Sequence, residues 1–93
     1  MYLEIKNANN FFKVKGTLNK KNVHLFENEF KSVLEMFNAI TVSLEDLVNI
    51  DRHGIKAISR LQNEALSKNK RLSIIGAGNS NLYSHFKAAE TAA

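Results

Sequence analysis

The sequence predicts an α/β protein: a single domain with a four-stranded mixed, mostly parallel sheet and three main helices, in the order β-β-α-β-α-β-α. Three observations lead to this fold class. The chain has 93 residues, which is enough for one hydrophobic core but not for two. Apolar residues follow a period of two in some segments and a helical period in others. After the first two strands, strands and helices alternate, which implies right-handed crossovers between parallel strands. We therefore expect residues 1–93 to form one domain without a linker.

The first two predicted strands form an antiparallel hairpin. Leu3 and Ile5 alternate with charged residues in the first strand, over residues 2–6. Asparagine-rich turn chemistry follows at residues 7–10, and residues 11–15 alternate again. Gly16 ends the second strand.

Two long helices are predicted from apolar residues spaced by three and four, over residues 22–37 and about 54–67. In the first helix, the residues expected to face the core are Val23, Phe26, Phe30, Val33, Leu34 and Phe37. In the second helix they are Ile55, Ile58, Leu61, Ala65 and Leu66. Thr17, Asn19 and Asn22 are alternative N-caps for the first helix, and Asp51 is the N-cap predicted for the second.

The remaining elements are two strands and a third helix. Ile40, Val42 and Leu44 predict a strand that ends at an acidic pair, and residues 71–75 predict another. The break after residue 75 is followed by a third helix over about residues 79–86, and the alanine-rich end is expected to fray. This completes the predicted order of elements.

Several classes of chemistry are disfavoured by the residues that the chain contains. It has no cysteine, so disulfides, thiolate metal sites and cysteine nucleophiles are excluded. His24, His53 and His85 show no metal-ligand spacing, and no serine-nucleophile motif occurs. Residues 76–80 resemble the start of a dinucleotide loop but lack its third glycine. We therefore expect no enzyme activity, no metal and no cofactor; a nucleotide-binding protein remains as a weak alternative.

The charge balance is basic, with 13 lysines and arginines against 9 acidic residues, a formal net charge of +4. Such an excess can indicate nucleic-acid binding. However, the basic residues cluster at predicted helix ends and in the hairpin, and the phenylalanines fall mostly on buried faces. We therefore predict no nucleic-acid partner. The sequence also shows neither a transmembrane segment nor a signal peptide, which predicts a cytoplasmic location.

Residues 44–58, LEDLVNIDRHGIKAI, resemble the core motif of the STAS family, named for sulphate transporters and anti-sigma-factor antagonists. That family runs a strand into a short acidic and apolar loop, then Asp-Ser-Ser/Thr-Gly-Leu at the start of a helix. Here Asp51 and Gly54 match the flanks of the signature. Residues 12–19 are similar to the family's strand ending in Gly-x-Leu-Asp, and residues 72–76 to its last strand. The resemblance extends over nearly the whole chain and implies the STAS fold.

Two departures from the family pattern affect what the resemblance implies. In stand-alone anti-sigma-factor antagonists, the second Ser/Thr of the signature is phosphorylated by the partner kinase. His53 occupies this former phospho-acceptor position, Arg52 precedes it, and Asn19 replaces the aspartate of Gly-x-Leu-Asp. Without the hydroxyl, regulation through phosphoserine is not expected. Positive charge at a helix start is slightly unfavourable. Arg52 and His53 therefore indicate contact with an acidic partner, or else their side chains simply point into water.

The resemblance implies a non-catalytic regulatory module that binds an anti-sigma factor or a related switch protein. The alternative is a STAS accessory subunit that braces an ATPase of a membrane lipid transporter. The predicted protein-binding surface centres on the loop of residues 16–22 and on the start of the second helix. The residues singled out within it are Asn19, Asn22, Asp51, Arg52, His53, Gly54 and Lys56.

Overall fold

The structure is a computed structural model, which describes residues 2–76. Its elements are β1 (Leu3–Ala8), β2 (Phe11–Leu18), α1 (Val23–Met36), β3 (Ala39–Ser43), β4 (Leu47–Ile50), α2 (Arg52–Ser67) and β5 (Arg71–Ile75). The predicted hairpin and the two predicted long helices are present, with α2 beginning two residues earlier than expected. The predicted third helix, over about residues 79–86, lies outside the described residues.

The sheet is mixed and mostly parallel, as predicted. Its strands follow the order β1-β2-β3-β5, and β4 also pairs with β2. Only the β1–β2 pair is antiparallel among the described strands. The hairpin turn is tighter than predicted, because β1 continues to Ala8 and only Asn9 and Asn10 form the turn. Asn9 has a φ of 55°, a left-handed conformation that asparagine tolerates better than most residues.

The prediction of four strands is wrong, since the described residues form five. The fifth is β4, in a segment after the acidic pair for which the sequence predicts no strand. Strand β2 has eight residues; its first half pairs with β3 and its second half with β4, on the same side. The register shifts between Gly16 and Thr17, and Gly16 adopts a φ of 95° that favours glycine. Strand β4 therefore continues the line of β3 after a short turn.

The core lies between one face of the sheet and the two helices. Phe12 of β2 meets Phe30 of α1 edge to face, with ring centroids 5.4 Å apart, a favourable geometry for an aromatic pair. The buried apolar side chains of the strands include Val14, Leu18, Ile40, Val42, Leu47 and Ile50, and Leu44, just after β3, is buried with them. One inward assignment on α2 is wrong: Leu66 is 74% exposed, because it lies one position beyond Ala65, on the outer side of the helix.

Candidate functional site

The predicted binding residues lie together at the edge of the sheet where β2 and β4 end. Leu18 and Ile50, the last residues of these parallel strands, pair with each other. The β2–α1 loop, residues 19–22, follows one strand, and the first turn of α2 follows the other. The backbone N–H of Asp51 donates to the carbonyl of Leu18 over 3.1 Å. Two segments that are distant in sequence thus form one surface.

Asp51 holds this surface together through both oxygens of its carboxylate. Oδ1 accepts a hydrogen bond from the backbone N–H of Gly54 over 3.0 Å, which makes Asp51 the N-cap of α2, as predicted. Oδ2 accepts from the backbone N–H of Lys20 over 2.9 Å. One side chain therefore caps the helix and fixes the neighbouring loop against it.

The pKa of Asp51 lies below its ordinary value. Burial raises it, but hydrogen bonds from the backbone N–H groups of Gly54 and Lys20, the positive charge of His53 and a backbone hydrogen bond from His53 outweigh burial. Asp51 is therefore ionised at neutral pH. Its carboxylate is engaged by donors from its own chain.

Asn19 and Asn22 lock the β2–α1 loop by reciprocal hydrogen bonds. Oδ1 of Asn19 accepts from the backbone N–H of Asn22 over 3.3 Å and from that of Lys21 over 2.9 Å. In return, Oδ1 of Asn22 accepts from the backbone N–H of Asn19 over 2.9 Å. The amide of Asn22 also donates to the carbonyl of Thr17 over 2.8 Å. Of the three alternative caps, Asn22 occupies the N-cap position of α1 without a side-chain capping bond, while Asn19 satisfies the turn before it.

Gly54 allows α2 to start directly against the strands. A Cβ atom at this position would lie 2.7 Å from Cγ1 of Ile50 and 2.9 Å from Cγ of Leu18. These distances are too short for an ordinary contact. The glycine of the signature is therefore required by packing, and a role in partner binding stays a prediction.

The side chains that reach solvent at this surface are basic. Arg52, His53 and Lys56 are exposed on the first turns of α2, and Lys20 and Lys21 are exposed on the adjoining loop. We call these five residues the basic edge. The two lysines lie within the predicted loop, residues 16–22, although the sequence did not single them out among the site residues.

The basic edge is not neutralised by ion pairs in the part of the chain that the structure describes. The ion pairs found there join other residues: Lys6 to Glu4, Lys13 to Asp46, Arg60 to Glu27 and Lys68 to Glu64. Lys20, Lys21, Arg52 and Lys56 carry four formal charges, equal to the net charge of +4 of the whole chain. The N-terminal ends of α1 and α2 add the positive end of their dipoles. The arrangement can attract acidic groups.

A groove between α1 and α2 contains none of the predicted site residues. It has a volume of about 290 Å³ and an apolar floor that includes Phe26, Phe30 and Leu61. Arg60 and Glu27, from the two helices, form an ion pair at its rim with an N–O distance of 3.6 Å.

Neither α1 nor α2 combines the length and apolar character that crossing a membrane requires.

Comparison with known proteins gives matches to structures but not to sequences. No family model matches the sequence, and no curated protein matches it. The crystal structure of an antisigma-factor antagonist STAS domain from Rhodobacter sphaeroides has a TM-score of 0.65 and 11% identity, covering 87% of this chain and 94% of that one. The chain has a STAS-like fold.

Two further structures extend this comparison. The phosphorylated form of the Bacillus cell fate determinant SpoIIAA has a TM-score of 0.65 and 11% identity, covering 97% of this chain and 86% of that one. Mglu has a TM-score of 0.63 and 9% identity over 77% of this chain, which spans only 19% of Mglu. At these identities the likeness extends to the fold alone.

Proposed function

We propose that this protein is a non-catalytic regulatory module that binds a protein partner through the basic edge. The partner is an anti-sigma factor or a related switch protein that presents acidic side chains. The observation that carries the proposal is the exposed positive charge of the basic edge, for which residues 2–76 supply no ion pair, on a backbone fixed by Asp51. Complementary charge speeds encounter with the right partner and rejects wrong ones.

Binding by this module does not depend on phosphorylation at the start of α2. Residues 51–54 read Asp-Arg-His-Gly and contain no hydroxyl group. A phosphate here would add a charge of about −1.5 to −2 next to the helix N-terminus. Without a phosphate, the basic edge keeps its positive charge. Partner binding is therefore constitutive, or it is controlled through the partner.

Charge reversal on α2 tests the binding surface. We expect Arg52→Glu/Lys56→Glu to reduce capture of the wild-type protein's partner from native lysate by more than about tenfold, because an acidic partner would be repelled. Lys68→Glu/Lys70→Glu is the matched control: it makes the same charge change at the other end of the helix and should leave capture unchanged. Circular dichroism verifies that both variants fold.

Equal capture by the two variants would contradict the proposed surface. Identification of the partner separates the candidate functions: an anti-sigma factor supports the proposal, whereas a transporter ATPase subunit supports the alternative. Intact-mass spectrometry after incubation with ATP and lysate tests the regulatory claim. A stoichiometric phosphate within residues 51–54 would overturn phosphorylation-independence.

A further inference from the structure

The sheet has a second face, opposite α1 and α2, that none of the described helices covers. In β2, Phe12 and Val14 are buried against the helices, whereas the alternate residues Phe11 and Lys13 are exposed. Side chains of a strand point alternately to the two faces. We call this second surface the open face; its larger exposed side chains are Phe11 and Lys13 of β2, Lys6 of β1, and Arg71 and Ile75 of β5. Lys15 of β2 is half-buried on the same face, opposite Glu4 of β1.

The middle of the open face carries short side chains, of which Ser43 is buried. One row across the strands is Ala8, Phe11, Thr41 and Ser73, and the next is Lys6, Lys13, Ser43 and Ile75. Apart from Phe11, the first row has only short side chains. The longer side chains are therefore spread across the face with short side chains between them.

The open face carries like charges at positions where they oppose folding. Lys6 and Lys13 are directly opposite each other in the antiparallel β1–β2 pair, an arrangement that is destabilising for like charges. Their ion pairs, to Glu4 and Asp46, have N–O distances of 3.6 and 3.5 Å and are solvent-exposed. Exposed pairs of this kind are weak, so both lysines can exchange these carboxylates for another anion.

Two apolar side chains also reach solvent on the open face. Phe11 and Ile75 are each 38% exposed, on strands separated by β3. An extended surface with dispersed cations and protruding apolar groups matches an anionic membrane, which offers a plane of negative headgroups above hydrocarbon. A single-stranded nucleic acid is read by several stacked aromatic rings, whereas Phe11 is the one aromatic residue in the described strands of this face.

We propose that the open face binds the surface of a lipid bilayer containing anionic headgroups. Lys6, Lys13, Lys15 and Arg71 contact the headgroups, and Phe11 and Ile75 enter the boundary between headgroups and acyl chains. The surface is distinct from the basic edge, so membrane binding and partner binding are separate properties of the chain.

Vesicle flotation with the full chain tests this proposal. The probes are vesicles of phosphatidylglycerol and phosphatidylcholine in equal parts, and vesicles of phosphatidylcholine alone, at physiological ionic strength. Each lysine near an anionic surface contributes about fivefold in affinity. We therefore expect Lys13→Gln/Lys15→Gln to weaken binding to the anionic vesicles by about 25-fold. Lys20→Gln/Lys21→Gln removes the same charge from the basic edge and should change binding less than about threefold.

Phe11→Ser provides a second variant, and we expect it to weaken vesicle binding while leaving net charge unchanged. The proposal is overturned if wild-type protein does not float with anionic vesicles, or floats equally with phosphatidylcholine alone. It is also overturned if the two lysine variants lose affinity equally, because net charge rather than the open face would then determine binding. Displacement from vesicles by single-stranded oligothymidylate, through the same lysines, would assign the face to nucleic acid instead.

Discussion

Asp51 accepts hydrogen bonds from two elements, one through each oxygen of its carboxylate. Gly54 belongs to α2, and Lys20 belongs to the β2–α1 loop. An asparagine side chain at this position would retain one acceptor and could cap the helix. Its amide group has no second acceptor to offer the N–H of Lys20. The carboxylate is therefore specifically suited to hold loop and helix together.

We expect Asp51→Asn to lower the free energy of unfolding by about 1–2 kcal/mol at about pH 7, because one backbone donor loses a charged acceptor. The pKa of Asp51 is lowered in the folded protein. The ionised carboxylate therefore stabilises the folded state fully at pH values above the ordinary aspartate pKa of about 3.9. This stabilisation is lost as the pH falls from that value through the lower pKa of Asp51 in the folded protein. Urea denaturation at about pH 7 and about pH 3 should show that the difference between wild type and variant shrinks in acid.

The matched control for this prediction is Asp46→Asn, which removes an exposed carboxylate that pairs with Lys13 on the surface. We expect it to change stability by less than about 0.5 kcal/mol. A difference between wild type and Asp51→Asn that stays constant from neutral to acidic pH would refute the assigned role of the ionised carboxylate.

Single residues of the site were predictable from sequence only where local chemistry is sufficient. The capping role of Asp51 follows from its position before a helical pattern, and the structure confirms it. The role of Gly54 depends on the side chains of Leu18 and Ile50, which come from two strands. The bond between Asp51 and Lys20 joins residues 31 positions apart. Contacts of this kind are set by tertiary packing, which local patterns do not encode.

Among the elements, the hairpin and both long helices were predictable because their periodicity persists over many residues. Strand β4 has only four residues, with Val48 and Asn49 exposed between buried Leu47 and Ile50, and so short a segment shows no clear period. It becomes a strand because β2 extends beyond its pairing with β3 and leaves backbone groups to pair. Strand β2 is also longer than the sequence predicts, because it continues past Gly16 to Leu18.

The β1–β2 pair allows the cost of the opposed lysines to be measured. We expect Lys6→Thr to raise the free energy of unfolding by about 0.2–1 kcal/mol, because it removes repulsion with Lys13 and introduces a residue that favours strands. Urea denaturation measures the gain. A double-mutant cycle with Lys13→Gln isolates the charge term, which should be largest at low ionic strength. An equal gain in both backgrounds would show that the two lysines do not repel each other.

At the scale of the whole molecule, the fold class was predictable from the order of elements in the sequence. The distribution of charge over the surface was not, and only the structure shows it. Along the sequence, the basic residues form two clusters, one in the hairpin and the following loop and one around the end of α2. In the folded chain the hairpin cluster divides: Lys13 and Lys15 lie on the open face, and Lys20 and Lys21 join the first turn of α2. Strand alternation and the bond to Asp51 cause this division.

The two basic surfaces should act independently, because salt screens them from each other. At about 3.3 Å per strand residue, the Cα of Lys15, the nearer of the two lysines, is roughly 10 Å from that of Leu18, before the loop begins, and the Cα of Lys13 is roughly 17 Å away. The Debye length at physiological ionic strength is about 8 Å. Lys13→Gln/Lys15→Gln should therefore leave partner capture within about twofold of wild type, and the variant combining it with Arg52→Glu/Lys56→Glu should show the sum of the separate losses in binding free energy. Capture of the partner by protein already bound to vesicles measures both properties together. If anionic vesicles instead compete with the partner for the protein, the partner and the membrane bind the same surface.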